Sequence, residues 1–290
     1  MKVTIFTLIL VVSLSVAAQL PSGFAANPPA QAGKDSSHQP DIERAIRAFL
    51  IALYSGDAAE YQKWILPEPG SNDLLSSSKP AGSELENLRK EAESTSLQQV
   101  SAFVFEGNEL TTTTGRRYPI GTKTTFMTGF RGTVVAIPMV YAETGWKVDV
   151  RFWVAMKKQA EGATFKQTDP EVVAKAFLYY LLARQPQKLK QLSAMEINAD
   201  DYTKANNLPG GDLDQILSLC IEMPVVRARE GESFRMPSGE IVKAAKEGDT
   251  LVLVGLLGTA EVAFQVKKVG DQWKVIPQKY FEMLRRAGAI

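Results

Sequence analysis

The chain repeats itself, and that limits its folds more than any other feature. Ala48-Phe49-Leu50-x-x-Leu53 returns as Ala176-Phe177-Leu178-x-x-Leu181, displaced by 128 residues. Gly145-Trp146-Lys147-Val148 returns within Gly270-Asp271-Gln272-Trp273-Lys274-Val275, with the tryptophan displaced by 127. Between them, Arg117-x-Pro119-x-Gly121 matches Arg235-x-Pro237-x-Gly239, displaced by 118. Three matches in one order predict two copies of one unit. The spacings make the second copy about ten residues shorter in its helical part and about nine longer in its sheet. A chain of 290 residues has room for two domains.

Each copy reads helix first, then strands. Ile42, Ala45, Ile46, Phe49, Leu50 and Leu53 follow the spacing of one helix face, with Asp41 placed to cap it and Gly56 placed to end it. A second helical stretch covers Asp57 to Ile65 and stops at Pro67-Glu68-Pro69-Gly70. Ser71 to Ser78 reads as a loop. Ser83-x-x-Glu86 predicts a capping box opening a polar helix. Strands are expected at Val100–Glu106, Thr122–Phe130, Thr133–Ala142 and Trp146–Val154. In the last, Trp146, Val148, Val150 and Phe152 alternate with Lys147, Asp149 and Arg151. Pro138 suggests an edge or a bulge. Lys157 to Thr168 reads as a polar connector, after which Asp169-Pro170-Glu171 opens a new helix. The expected domains are therefore a unit over 41–158, a connector over 159–168 and a second unit over 169–290.

The start of the chain has the order of a secretory signal. Met1-Lys2 is followed by an apolar run from Ile5 to Val16 and small residues at Ala17-Ala18 and Ala25-Ala26. Residues 1–26 are read as a signal peptide, and 27–40, rich in proline and small polar residues, as a flexible leader. Export to a periplasm or beyond the cell is expected, and the mature chain is not expected to be an integral membrane protein. Formal net charge is +1, and Lys2 leaves with the signal, so no global field favours nucleic acid. The single cysteine, Cys220, lies in an apolar stretch and reads as a small buried hydrophobe.

A helix with this Ala-Phe-Leu-x-x-Leu run, then helical turns, then long strands closed by a Trp-Lys-Val hairpin strand, resembles the NTF2-like superfamily over nearly all of each unit. The resemblance implies an α+β fold of two tandem units, each with N-terminal helices packed on a curved antiparallel sheet that forms a cone. Members of that superfamily include isomerases, dehydratases, protein partners and exported domains without known activity, so fold leaves function open. The insert from Pro67 to Gly82 departs from the pattern, and is placed to cover the cone mouth or to leave it.

Enzymes on such a fold resemble acid–base machines, needing a carboxylate or imidazole and a tyrosine to hold an oxyanion. The one histidine, His38, falls in the leader. Asp57, Asp149, Tyr54 and Tyr61 are the catalytic candidates in the first unit. Each also has a structural role open to it: a helix cap for Asp57, a salt-bridged strand face for Asp149, core-edge packing for the tyrosines. Gln185 and Ile276 align with the two acids in the second unit, so neither acid is repeated. Asp200, Asp201, Asp212 and Asp214 form a dispersed acidic group around Pro209-Gly210-Gly211, read as a solvated turn, and no metal or other cofactor is expected.

Basic residues gather between Leu110 and Ala160, against an acidic excess before it. Arg131, Lys147 and Arg151 on one sheet face are the ligand-binding candidates, for an acidic protein surface, a glycan or a small anionic ligand. The leading expectation is a non-catalytic exported binding or scaffold protein. A small-molecule isomerase or dehydratase working in the first cone is the alternative. A domain dimerising through its sheet is the third.

Overall fold

The computed structural model describes residues 39–106, 108–109, 118–198, 213–235, 241–245, 248–257 and 260–277. The signal segment, residues 27–38 of the leader with His38, Arg117, Pro237, Gly239, Asp200, Asp201 and Asp212 lie outside the described residues, while Gln39 and Pro40, expected in the leader, open the first helix. The chain divides into two compact units; among the described residues the first holds 39–105 and 109–163, and the second holds those from Thr164 on, with Glu106 and Asn108 grouped with it.

The first unit opens with α1 (Gln39–Ser55), α2 (Ala58–Trp64), a short 3-10 turn (Ser71–Leu74) and α3 (Ser83–Ser94). Strands β1 (Leu97–Gln99), β2 (Val104–Phe105), β3 (Asn108–Glu109), β4 (Lys123–Phe130), β5 (Thr133–Ala142) and β6 (Gly145–Val148) follow, then α4 (Arg151–Ala160). The antiparallel sheet runs β3-β2-β4-β5-β6, with β1 also paired to β4. The α1 face named from the sequence is the heart of the core. Ile46, Phe49 and Leu50 are fully buried, against Phe126 and Phe130 of β4, Ile137 and Met139 of β5, and Val148 of β6. Arg131 and Gly132, both with positive φ, make the two-residue turn between β4 and β5 that the right-handed twist of paired strands favours.

The second unit has α5 (Pro170–Leu182), α6 (Pro186–Leu192), α7 (Leu213–Glu222), and strands β7 (Val225–Arg227), β8 (Ser233–Arg235), β9 (Ile241–Lys243), β10 (Thr250–Leu257), β11 (Ala260–Val269) and β12 (Gln272–Val275). Its main sheet runs β12-β11-β10-β7, and β8 pairs with β9 apart from it. The Asp169 carboxylate accepts from the N–H groups of Glu171 and Val172, the helix entry read from the sequence.

The two units share a frame bond by bond. β4, β5 and β6 recur as β10, β11 and β12 with the same lengths, each displaced by 127 residues. α2 recurs as α6, displaced by 128. The lone parallel bridge between Ile65 and Val148 recurs between Ser193 and Val275. The N–H of Leu66 donates to the Val148 carbonyl at 3.0 Å, as that of Ala194 does to Val275 at 2.8 Å. Val100 N–H to Thr125 recurs as Ala228 to Val252, Tyr141 to Thr122 as Lys268 to Asp249, and Asp149 to Pro138 as Ile276 to Gln265.

This register corrects one sequence match. Gly121, with φ +92 just before β4, has its counterpart in Gly248, with φ +133 just before β10, and not in Gly239. The displacement therefore stays at 127–128 from α2 to β12, and the predicted shortening and lengthening of the second unit does not occur. Proline and glycine are common turn residues, so the Arg-x-Pro-x-Gly match does not by itself set the register.

Other local expectations also change. Trp146–Val154 is not one strand: β6 stops at Val148 and Arg151 begins α4. Lys157 to Ala160 is thus helical, not connector. α1 starts before Asp41, which sits in the first turn and pairs with Arg44 at 3.1 Å instead of capping. Gly82, not a serine, is the N-cap residue of α3, and no side chain caps there. Pro138 sits in the central strand β5 without a bulge, opposite Thr125. Its missing N–H costs nothing on the β6 side, because β6 has ended and Asp149 donates to the Pro138 carbonyl.

Candidate functional site

The helix-facing side of the first sheet is the candidate site, and side chains fill it. Phe49 stands at its centre, its ring 5.6 Å from Tyr61 of α2 and 6.1 Å from Trp153 of α4. Tyr61 is fully buried, and neither its hydroxyl nor the Trp153 indole N–H has a hydrogen-bond partner. Burial pushes the Tyr61 phenol far above its ordinary range, which suits a packing role. Towards the ends of β5 and β6 a second aromatic group continues the filling. Tyr141 and Trp146 are cross-strand partners with rings 5.3 Å apart, Tyr118 meets Trp146 edge-on at 5.2 Å, and Phe103 lies 4.7 Å from Tyr118.

The catalytic candidates are not brought together. Asp57 is exposed and caps α2, its Oδ1 accepting from the Glu60 N–H at 3.0 Å. Asp149 is taken up by Arg151, which donates from Nε to Oδ1 at 2.8 Å and from Nη2 to Oδ2 at 2.6 Å. That pair also shapes the start of α4, since Asp149 Oδ1 accepts from the Arg151 N–H. Tyr54 packs edge-on against Phe130 at 5.2 Å, beside the β4–β5 turn. Burial raises its phenol, partly offset by a hydrogen bond with Thr133 and the nearby Arg131 charge.

The three basic candidates do not form one patch. Arg131 sits in the β4–β5 turn, where its backbone N–H donates to Glu91 Oε1 at 2.6 Å. Lys147 pairs with Val140, seven residues along β5 from Thr133, so it lies roughly 20–25 Å from that turn. Its ammonium donates to the Lys63 carbonyl, lies 5.9 Å from the Trp64 ring centre, and has its pKa lowered by burial. Arg151 is in α4, not on the sheet.

The insert is tied down by the element that the sequence reading missed. Leu74 and Leu75 pack on the core, Ser76 N–H donates to the Leu53 carbonyl, and α4 adds two ammonium groups: Lys157 to the Asp73 carbonyl and Lys158 to the Pro69 carbonyl. The signal for α4 was present in its basic last turn, which complements a helix C-terminus. It was masked because Val150, Phe152 and Val154 alternate as in a strand, and all three are indeed buried.

In the second unit Gln185 and Ile276 stand where the sequence aligned them. Gln185 is the N-cap residue of α6, and Ile276 repeats the backbone bond of Asp149. Polar side chains of α5 and α7 meet the last turn of α7. Lys175 Nζ donates to the Ile221 carbonyl at 3.3 Å, and Ser218 donates to Glu222 Oε1 at 2.9 Å. Burial pushes the Cys220 thiol up to about 12 and raises the Glu222 carboxyl. The first unit explains the lysine. Arg47, its counterpart, donates to the carbonyls of Ala92, Glu93 and Thr95 at the end of α3, and Glu93 is the counterpart of Ile221. In both units a cation from the first helix closes the C-terminus of the third.

Among the described residues no group of three or more His, Cys, Asp or Glu could hold a metal ion, and no helix is long and apolar enough to cross a membrane. No family model, no curated protein and no solved structure matches the chain.

Proposed function

We propose that this protein is a non-catalytic exported binding or scaffold module, built from two tandem NTF2-like units that arose by duplication. The observation that carries this reading is the filled helix-facing side of the first sheet, where Phe49, Tyr61, Trp153 and Trp146 occupy the place a substrate would need. Asp57 and Asp149 are committed to a helix cap and to Arg151, and the repeated cations are helix caps. Residues 1–26 are proposed to be removed on export, leaving a leader that ends where α1 begins at Gln39. The partner is a protein, a glycan or a small anionic ligand met on outer surfaces.

The test is a titration of the mature chain with small carbonyl compounds, followed by the NMR signals of Phe49, Tyr61, Trp146 and Trp153. The proposal expects no saturable shift, and expects Asp57→Asn and Asp149→Asn to leave folding intact. Saturable shifts at Tyr61 and Trp153, lost in one of the acid variants, would turn the reading to the isomerase or dehydratase alternative.

A further inference from the structure

The sheet of the first unit is joined backbone to backbone, but the insert over 67–82 is gripped by side chains. The Gln62 amide of α2 donates to Ser71 Oγ at 3.0 Å and to Asn72 Oδ1 at 2.8 Å. Lys157 and Lys158 of α4 donate to the carbonyls of Asp73 and Pro69. The Lys158 side chain lies so close over Gly70 that a Cβ there would collide with its ammonium. The backbone bonds of Ser71 to Glu68, Asp73 to Gly70 and Leu75 to Asn72 stay within the insert, and Ser76 ties it to α1 through the Leu53 carbonyl. The apolar hold is shallow. Leu74 and Leu75 are half-buried, and most of the other insert residues are exposed.

What the insert spans favours its release. It bridges α2 and α4, and those two helices supply Tyr61 and Trp153, the rings that flank Phe49. The Tyr61 hydroxyl and the Trp153 indole N–H are buried without a hydrogen-bond partner. Water supplies a partner to each once it is uncovered, so the closed state carries a cost that opening removes. Against that stand the charge-assisted bonds from the two lysines. The far end of the insert can turn: Gly82, at φ +56 and ψ −128, has nothing within 4 Å of the place a Cβ would take.

We propose that residues 67–82 are a strap, latched by Lys157 and Lys158, that lifts as one piece and opens Tyr61 and Trp153 to water while the frame of the first unit stays closed. The strap is a second state of the unit, whatever partner its outer surfaces meet.

The experiment is site-resolved hydrogen exchange on the full chain. Ser71, Asp73, Leu75 and Ser76 report the strap, and Leu66, Val100 and Tyr141 report the frame. In the parent the four strap amides should share one protection factor, about tenfold or more below that of the frame, and the Trp153 indole N–H should follow the strap. Lys157→Met/Lys158→Met is expected to lower protection of the strap and of the indole by about tenfold again, with the frame unchanged. Lys157→Arg/Lys158→Arg keeps both charged donors and should stay within about twofold of the parent. The parent comparison needs no variant, so it decides the matter even if the methionine variant does not fold. Strap amides as protected as the frame overturn the proposal, as do four unrelated protection factors. An indole N–H that exchanges only with the frame, or a strap indifferent to the methionine variant, overturns it too.

Discussion

The two units keep the same backbone and differ in what they build on it. Both hold a phenylalanine, Phe49 or Phe177, fully buried on the first helix, and both place a cation to close the third helix. The aromatic group at the end of the first sheet is not repeated. Tyr141 becomes Lys268, which is exposed, and Phe103 becomes Gly231. The buried Cys220 and the half-buried Glu222 of the second unit replace Ala92 and Ser94 of the first. What recurs is what the fold requires: the core, the caps and the edge bridge. Differences are free to carry function, so the distinguishing faces of each unit are the places to look for partners.

The largest expected effect tests the shared part. Phe49→Ala and Phe177→Ala should each cost about 3–5 kcal/mol, because each removes a fully buried ring at the centre of its unit. Thermal unfolding of both variants checks this, and a large difference between them would break the equivalence of the two cores. Arg47→Met comes next, at about 2–3 kcal/mol, since it leaves three carbonyls at the end of α3 without their charged donor. Lys175→Met is expected to cost about 1–2 kcal/mol, since it takes the charged donor from the Ile221 carbonyl, which it reaches at 3.3 Å. Denaturant titration of the pair sharpens the comparison.

Two smaller effects belong to the second unit. Burial raises the folded Glu222 carboxyl above its unfolded value, so the folded state holds its proton to higher pH. The unit is then most stable below the ordinary carboxylate range and loses stability as pH rises from that range to the raised value. Glu222→Gln is expected to raise the melting temperature at pH 7 and to leave it unchanged at pH 4. The smallest effect is at a helix end. Gly56 ends α1 with φ +68, and a Cβ there would meet the Ser76 carbonyl at 2.9 Å, while its counterpart Arg184 holds φ +55 with a side chain. Arg184→Gly should gain up to about 1 kcal/mol by relieving that left-handed backbone, measured by chemical denaturation.

Much of the frame was legible in the sequence because it is written in packing. The α1 face, the Asp169-Pro170 helix entry, the long hairpin strands and the offset between the two helices all follow from side-chain period and cap chemistry. The helix α4 was not, because burial on two sides of its first turns mimics strand alternation at Val150, Phe152 and Val154. The basic candidates were separated by something sequence spacing does not contain: strand register puts Lys147 beside Val140, far from the turn that holds Arg131. Asp57 was legible as a cap; that Asp149 is held by Arg151 depended on where β6 ends.

The central claim is one hydrogen-bonded frame built twice, and site-resolved hydrogen exchange of the chain tests it most directly. Protected amides should occur in pairs displaced by 127 or 128: Leu66 with Ala194, Val100 with Ala228, Tyr141 with Lys268, Asp149 with Ile276. Protection at the first member of these pairs with free exchange at the second would contradict a shared frame, and with it the reading of the chain as a duplicated module.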